Sequence, residues 1–260
     1  GVNAAAALWR YADFLEKRSR RKNGGQIIAP MERSAAVHRL KSVEGGLTEA
    51  EAKQILKEWG IAIPRGAVVS SLEQAVEAAG KIGYPVVLKA LSTEIAHKTE
   101  AGAIRLGLGD APALRQGWDQ MQRVVRARVP EARISGYLVE EMLPIHLELI
   151  AGVEDDPVFG PLMLLGLGGI YVEIFQDLSL RLAPLEPEEV RQMLVELKSA
   201  PLFGGYRGAA PVNLSSLVET VSRFSRLAVA LRGSYREMEI NPLVLCPDGR
   251  AVAVDALILR

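Results

Sequence analysis

Two hydrophobic rhythms alternate along most of this chain. Ala52, Ile55, Leu56 and Trp59 recur at helical spacing behind a Thr48/Glu51 capping box, and Gly60 ends the run. A strand is expected from Ile61 to Val69. Ser70 and Glu73 read as a second capping box, opening a helix through Val76 and Ile82 that stops at Gly83. Val86, Val87, Leu88, Ala90 and Leu91 are then apolar without alternation, the mark of a strand covered on both faces. Further expectations are a strand at 103–108, a helix at 111–128 and a strand at 136–143. From His146 to Glu154 alternation is strict: Leu147, Leu149, Ala151 and Val153 share one face, so Glu148 points away from the core. An apolar, glycine-rich segment at 159–175 precedes helices at 186–199 and 214–232 and a closing hairpin. The fold class is α/β (α+β).

Before Gly45 the pattern is different. Residues 4–18 read as an alanine-rich helix with Leu8, Tyr11 and Leu15 at helical spacing, followed by a basic run and Gly24-Gly25. Residues 1–44 thus read as a helix and linker, with the ordered domain beginning near Gly45. The chain starts at Gly1 without a signal-like apolar core, which reads as a piece of a longer polypeptide or a cloning scar.

Composition narrows the classes. With 260 residues, 49% of them hydrophobic, a real core can be buried. Lys plus Arg and Asp plus Glu both total 31, so no overall field recommends nucleic acid or an anionic membrane. The longest uncharged run lies between Asp156 and Glu173, shorter than the ~20 residues a membrane helix needs, and glycines interrupt it. The lone cysteine, Cys246, makes no internal disulfide and suits a reducing, cytoplasmic setting. Neither nucleic acid nor membrane is an expected partner.

Lys89 stands in the continuous apolar strand, where an ammonium is costly unless paired. At ~4 Å and an effective dielectric of ~20 it attracts one phosphate charge by roughly 4 kcal/mol. His97, Lys98, Thr99 and Gly102 follow, donors and a glycine suited to a phosphate. The alternative is an edge lysine that snorkels to water before a polar turn. In the last hairpin, Pro247-Asp248-Gly249 reads as a three-residue loop. If Cys246 pairs with Arg250, Asn241 lies opposite Asp255 and Glu239 shares their face, with Met238, Ile240, Val252 and Val254 on the other side. Two carboxylates and an amide are hard donors suited to Mg²⁺; a solvent-facing polar row is the other reading, and a four-residue loop would shift the register. Gly166-Leu-Gly168-Gly169 lacks dinucleotide-site spacing and reads as a turn near a cleft.

Lys89, the His97–Gly102 loop and Glu239-Ile-Asn241-Pro242-Leu243 together resemble the ATP-grasp domain of NDP-forming (ADP-forming) acyl-CoA synthetases, relatives of the succinyl-CoA synthetase β subunit. Pro-Val-Val-Leu-Lys-Ala, Ile-Ala-His-Lys-Thr-Glu-Ala-Gly, Glu-Leu-Ile-Ala-Gly-Val, Asp-Pro-Val-Phe-Gly-Pro, Gly-Leu-Gly-Gly-Ile and Gly-Tyr-Arg-Gly follow in the family's order. The resemblance implies an ATP-grasp fold with two lobes, at 45–137 and 138–260, clamping ATP/ADP. It implies Lys89 and the Gly102 loop on phosphates, Glu140 with the backbone of Glu141, Met142 and Leu143 at adenine, and Glu148 at ribose. It further implies Asn241, Asp255 and Glu239 at Mg²⁺, and His97 either relaying a phosphoryl group or merely contacting a phosphate. The implied chemistry turns a small carboxylic acid, CoA and ATP into acyl-CoA, ADP and phosphate, with CoA-binding modules, fused or in a separate subunit, as partners. Ala103, Ile145 and His146 stand where the family usually has glycine. Two rivals share the fold: a regulatory nucleotide-binding domain of a protein acyltransferase, and a carboxylate-amine ligase.

Overall fold

The computed structural model describes residues 40, 46–95, 98–169, 177–205 and 212–260. The expected helix at 4–18 and its basic run lie outside them, as do Ala96 and His97.

The first sheet is built from β1 (Gly66–Val69), β2 (Val86–Leu91), β3 (Ile104–Leu108) and β4 (Gly136–Glu141), in the order β1-β4-β2-β3 with every neighbouring pair antiparallel. β1 and β2 therefore run the same way with β4 between them, a split strand-helix-strand unit. Helices α2 (Leu72–Ile82) and α3 (Ala111–Arg128) supply one core with it: Ala75, Ala79, Leu114, Trp118 and Met121 pack with Val86, Leu88 and Ala90. All six β2 residues are buried, as the unbroken apolar run requires. Asp110 caps α3, and the cap of α2 is Ser71, whose hydroxyl accepts from the Gln74 amide. The cap thus sits one residue beyond the expected Ser70, whose own hydroxyl donates to the Gln74 side chain.

The second sheet joins β5 (Leu147–Asp156), β6 (Gly160–Leu167), β7 (Leu178–Leu182), β8 (Glu237–Leu245), β9 (Ala251–Ala253) and β10 (Ala256–Leu259). The order is β10-β8-β5-β6-β7, with β9 also beside β8. Leu149, Ala151, Val153, Met163 and Leu165 face helices α4 (Pro187–Glu196) and α5 (Ser215–Ala230).

Two memberships depart from the sequence expectation. Helix α1 (Glu49–Glu58), capped by the Thr48/Glu51 box, places Ala52, Ile55 and Leu56 in the second sheet's core, while β4 straddles the expected cut at 137/138 and completes the first sheet. Leu40, expected in the linker, is buried in that same second core. The hairpin register holds, with Val244 opposite Val252 and the Cys246 amide bonding the Arg250 carbonyl at 2.8 Å. Val252 and Val254, however, do not share the face of Met238 and Ile240. They join Val244, Cys246 and Leu143 in a separate small cluster, because the β5–β8 ladder slips by one residue between Leu149/Leu243 and Ala151/Ile240.

Candidate functional site

Where the two lobes meet, six ionised side chains close on one another. Glu49 and Lys53, one turn apart on α1, come from the second lobe; Lys89 on β2, Lys98 in the turn between β2 and β3, and Glu140 on β4 come from the first; Asp255 joins β9 to β10. Lys53 Nζ donates to both Glu140 oxygens, at 2.7 and 2.8 Å, and lies 2.7 Å from Glu49 Oε1. Lys89 Nζ donates to Glu49 Oε1 and to the Val254 carbonyl at 2.7 Å, and sits 3.1 Å from Glu140 Oε2. Lys98 Nζ donates to both oxygens of Asp255 at 2.8 Å and lies 3.0 Å from Glu49 Oε2. Three carboxylates and three ammonium groups balance.

Burial favours the neutral form of each group, and the neighbours decide the outcome. Against burial, Lys89, Lys53 and Lys98 hold the Glu49 carboxyl well below its ordinary range. Burial and the adjacent Lys89 push Lys53 down in spite of Glu49 and Glu140. Lys89 is held up against burial by Glu49, Glu140 and Asp255; Lys98 is held up likewise by Asp255 and Glu49. Burial and the Glu49 charge push Asp255 up although Lys89 and Lys98 oppose them.

The expected site residues divide accordingly. Lys89 has the anions its burial demands in Glu49 and Glu140. Its three ammonium hydrogens match Glu49, Val254 O and Glu140. Strand alternation puts Glu140 on the face of Lys89, and its carboxylate lies between Lys53 and Lys89. Glu141 accepts from the Arg65 amide and Nε, both at 2.8 Å, and the Met142 amide donates to Pro85 O. Leu143 packs with the small cluster of Val244 and Cys246.

Glu148 is half-buried beside the glycine run. Gly168 N donates to Glu148 O at 2.7 Å, and a Cβ at Gly168 would come within 2.9 Å of the Leu149 backbone. Gly168 and Gly169 lie against β5, whereas a Cβ at Gly166 would meet the Asp177 carbonyl at 2.7 Å. Gly102, at φ +71, also serves packing: its amide bonds Thr99 O, and a Cβ there would meet Val124 Cγ1 at 2.4 Å. Asn241 is exposed opposite Asp255 and donates its amide to the Asp255 carbonyl at 3.2 Å; Glu239 is half-buried opposite Leu257. His97 lies outside the described residues.

Sequence reasoning missed Glu49 and Lys53. A signal was present, since Glu49, Ala52, Lys53 and Leu56 occupy the i, i+3, i+4, i+7 stripe that faces the core.

The chain matches the ATP-grasp domain family over residues 38–259. It is 38% identical over 220 residues to "Acetate--CoA ligase [ADP-forming] I subunit beta" of Pyrococcus furiosus, covering 85% of this chain and 94% of that protein. It is 36% identical over 257 residues to a trans-feruloyl-CoA synthase from an unknown prokaryotic organism, spanning 98% of this chain but 35% of that longer one. Among solved structures, an acetyl-coenzyme A synthetase of Ca. Korarchaeum cryptofilum in complex with coenzyme A and Ca-AMPCP superposes with a TM-score of 0.82 at 34% identity, over 88% of this chain and 99% of that one. With antiparallel sheets in two lobes and matches of this length, the chain belongs to the ATP-grasp family, in the group of ADP-forming acyl-CoA ligase β subunits.

Proposed function

We propose that this chain is the nucleotide-binding and phosphoryl-transfer module of an ADP-forming acyl-CoA synthetase, which converts a carboxylate, CoA and ATP into acyl-CoA, ADP and phosphate. The observation that carries the proposal is near end-to-end similarity to an acetate–CoA ligase β subunit, combined with lysines gathered where two lobes meet. ATP lies in the junction, with Lys98 and Lys89 as the cations nearest its phosphates. Glu141, Met142 and Leu143 face the base and Glu148 the ribose. CoA-binding modules, fused or in a separate subunit, complete the enzyme in the cytoplasm. The relatives described are ligases, which favours this reading over a regulatory domain of an acyltransferase.

The donor set around Asp255 fits Mg²⁺. Asp255 already neutralises a cation, Asn241 is its cross-strand partner, and Glu239 lies two residues before Asn241 on β8, all side chains with hard oxygen donors. When bound, the ion would neutralise phosphate charge. The chain's own residues do the rest: Lys98 offsets charge on the transferring group, and one imidazole nitrogen of His97 attacks the γ-phosphorus as ADP leaves.

Mg-ATP is expected to raise the melting temperature by several degrees, since ligand at 100 times its dissociation constant adds about 2.7 kcal/mol. A melting curve indifferent to millimolar Mg-ATP would refute the proposal. γ-Labelled ATP with the assembled enzyme should leave an acid-labile label that His97→Ala abolishes and His146→Ala keeps.

A further inference from the structure

The Lys98–Asp255 pair differs from the rest of the charge cluster in two ways. Its side chains are 16% and 21% exposed, whereas those of Glu49, Lys53, Lys89 and Glu140 are at most 4% exposed, so it is the member open to the cleft. It also spans the lobes, as does the 3.0 Å contact of the same ammonium with Glu49 Oε2, from a turn whose backbone is bonded to the first lobe. Within that turn Ala103 N bonds Lys98 O and Gly102 N bonds Thr99 O, while Arg128 and Arg105 donate to the carbonyls of Glu100 and Gly102.

We infer that Lys98 and a divalent cation compete for the Asp255 carboxylate, and that cation loading moves Lys98 off Asp255 and leaves it on Glu49. The inference rests on the proposed metal role of Asp255. Both Asp255 oxygens are taken by one ammonium, so a divalent ion reaching the same oxygens meets a like charge within contact distance. Exchange of one cation for the other keeps the carboxylate compensated throughout. The displaced ammonium retains Glu49 Oε2 at 3.0 Å as an anchor and faces the cleft, next in sequence to His97. The partner of Lys98 thus changes with the state of the site.

The test uses the full chain without nucleotide. Mn²⁺ binding is followed by electron paramagnetic resonance, Mg²⁺ binding by calorimetry, and folding of each variant by its melting curve. Lys98→Met is expected to bind Mn²⁺ roughly tenfold more tightly than the parent, the equivalent of about 1.4 kcal/mol. Lys98→Arg should restore the weaker parental affinity, and Asp255→Asn should abolish binding. A purely structural Lys98 would lower affinity in Lys98→Met instead of raising it. If Asp255→Asn loses the ion while Lys98→Met binds it no more tightly, the competition is wrong and the metal site stands. If Asp255→Asn binds as the parent does, the metal site itself is misplaced and the inference falls with it.

Discussion

Glu140 accepts from Lys53 and lies beside Lys89 in a region closed to water, so truncating it strands two ammonium groups. Breaking a buried pair in this way costs about 3–5 kcal/mol, and Glu140→Ala is expected to lose that much in urea unfolding. Because Lys53 and Glu140 share one network, Lys53→Met with Glu140→Leu should lose less than the sum of the single changes. Glu49 gives the acid dependence. Its folded carboxyl is depressed below the ordinary 4.5, so its contribution is fully present above that pH and drains away as pH falls from there toward the folded value. Glu49→Gln should therefore flatten the loss of stability below about pH 4.5, as read from unfolding midpoints across an acid series. The lysine and its need for an anion were legible in the sequence, but the carboxylates that meet it in the fold were not. Glu49 reaches Lys89 across 40 positions, and nothing local to either residue encodes that meeting.

Elements whose geometry is set by neighbouring residues were the readable ones. Asp110 and Arg128 bound α3 as its pattern indicates, and Pro247-Asp248-Gly249 closes a hairpin with Gly249 at φ +83. The one-residue slip between β5 and β8 was not readable, since it arises from two strands settling against a common core. The turn from Lys98 to Gly102 is a mixed case, for its glycine was legible while the reason for it was not. Gly102→Ala puts a Cβ into Val124 and forces a left-handed backbone, a change worth about 1–3 kcal/mol. Val124→Ala in the same chain should return only the clash, leaving the backbone cost, as separated by a double-mutant cycle in urea.

At the scale of the whole molecule, chain order does not divide the two sheets and their cores. The second core takes α1 from before the first sheet and β5 to β10 from after it. Only contacts between distant segments decide such membership, and a hydrophobic pattern read along the chain carries none of them. The chain accordingly passes between the lobes twice, near Arg65 and near Glu141, and the two passages touch, with the Glu141 amide bonding the Arg65 carbonyl at 2.9 Å and the carboxylate holding the Arg65 side chain. A segment whose ends are hydrogen-bonded neighbours is, in engineering terms, a cassette. Residues 66–141 could be lifted out and closed by a short linker, or exchanged for the equivalent piece of a relative, without re-routing the remaining backbone.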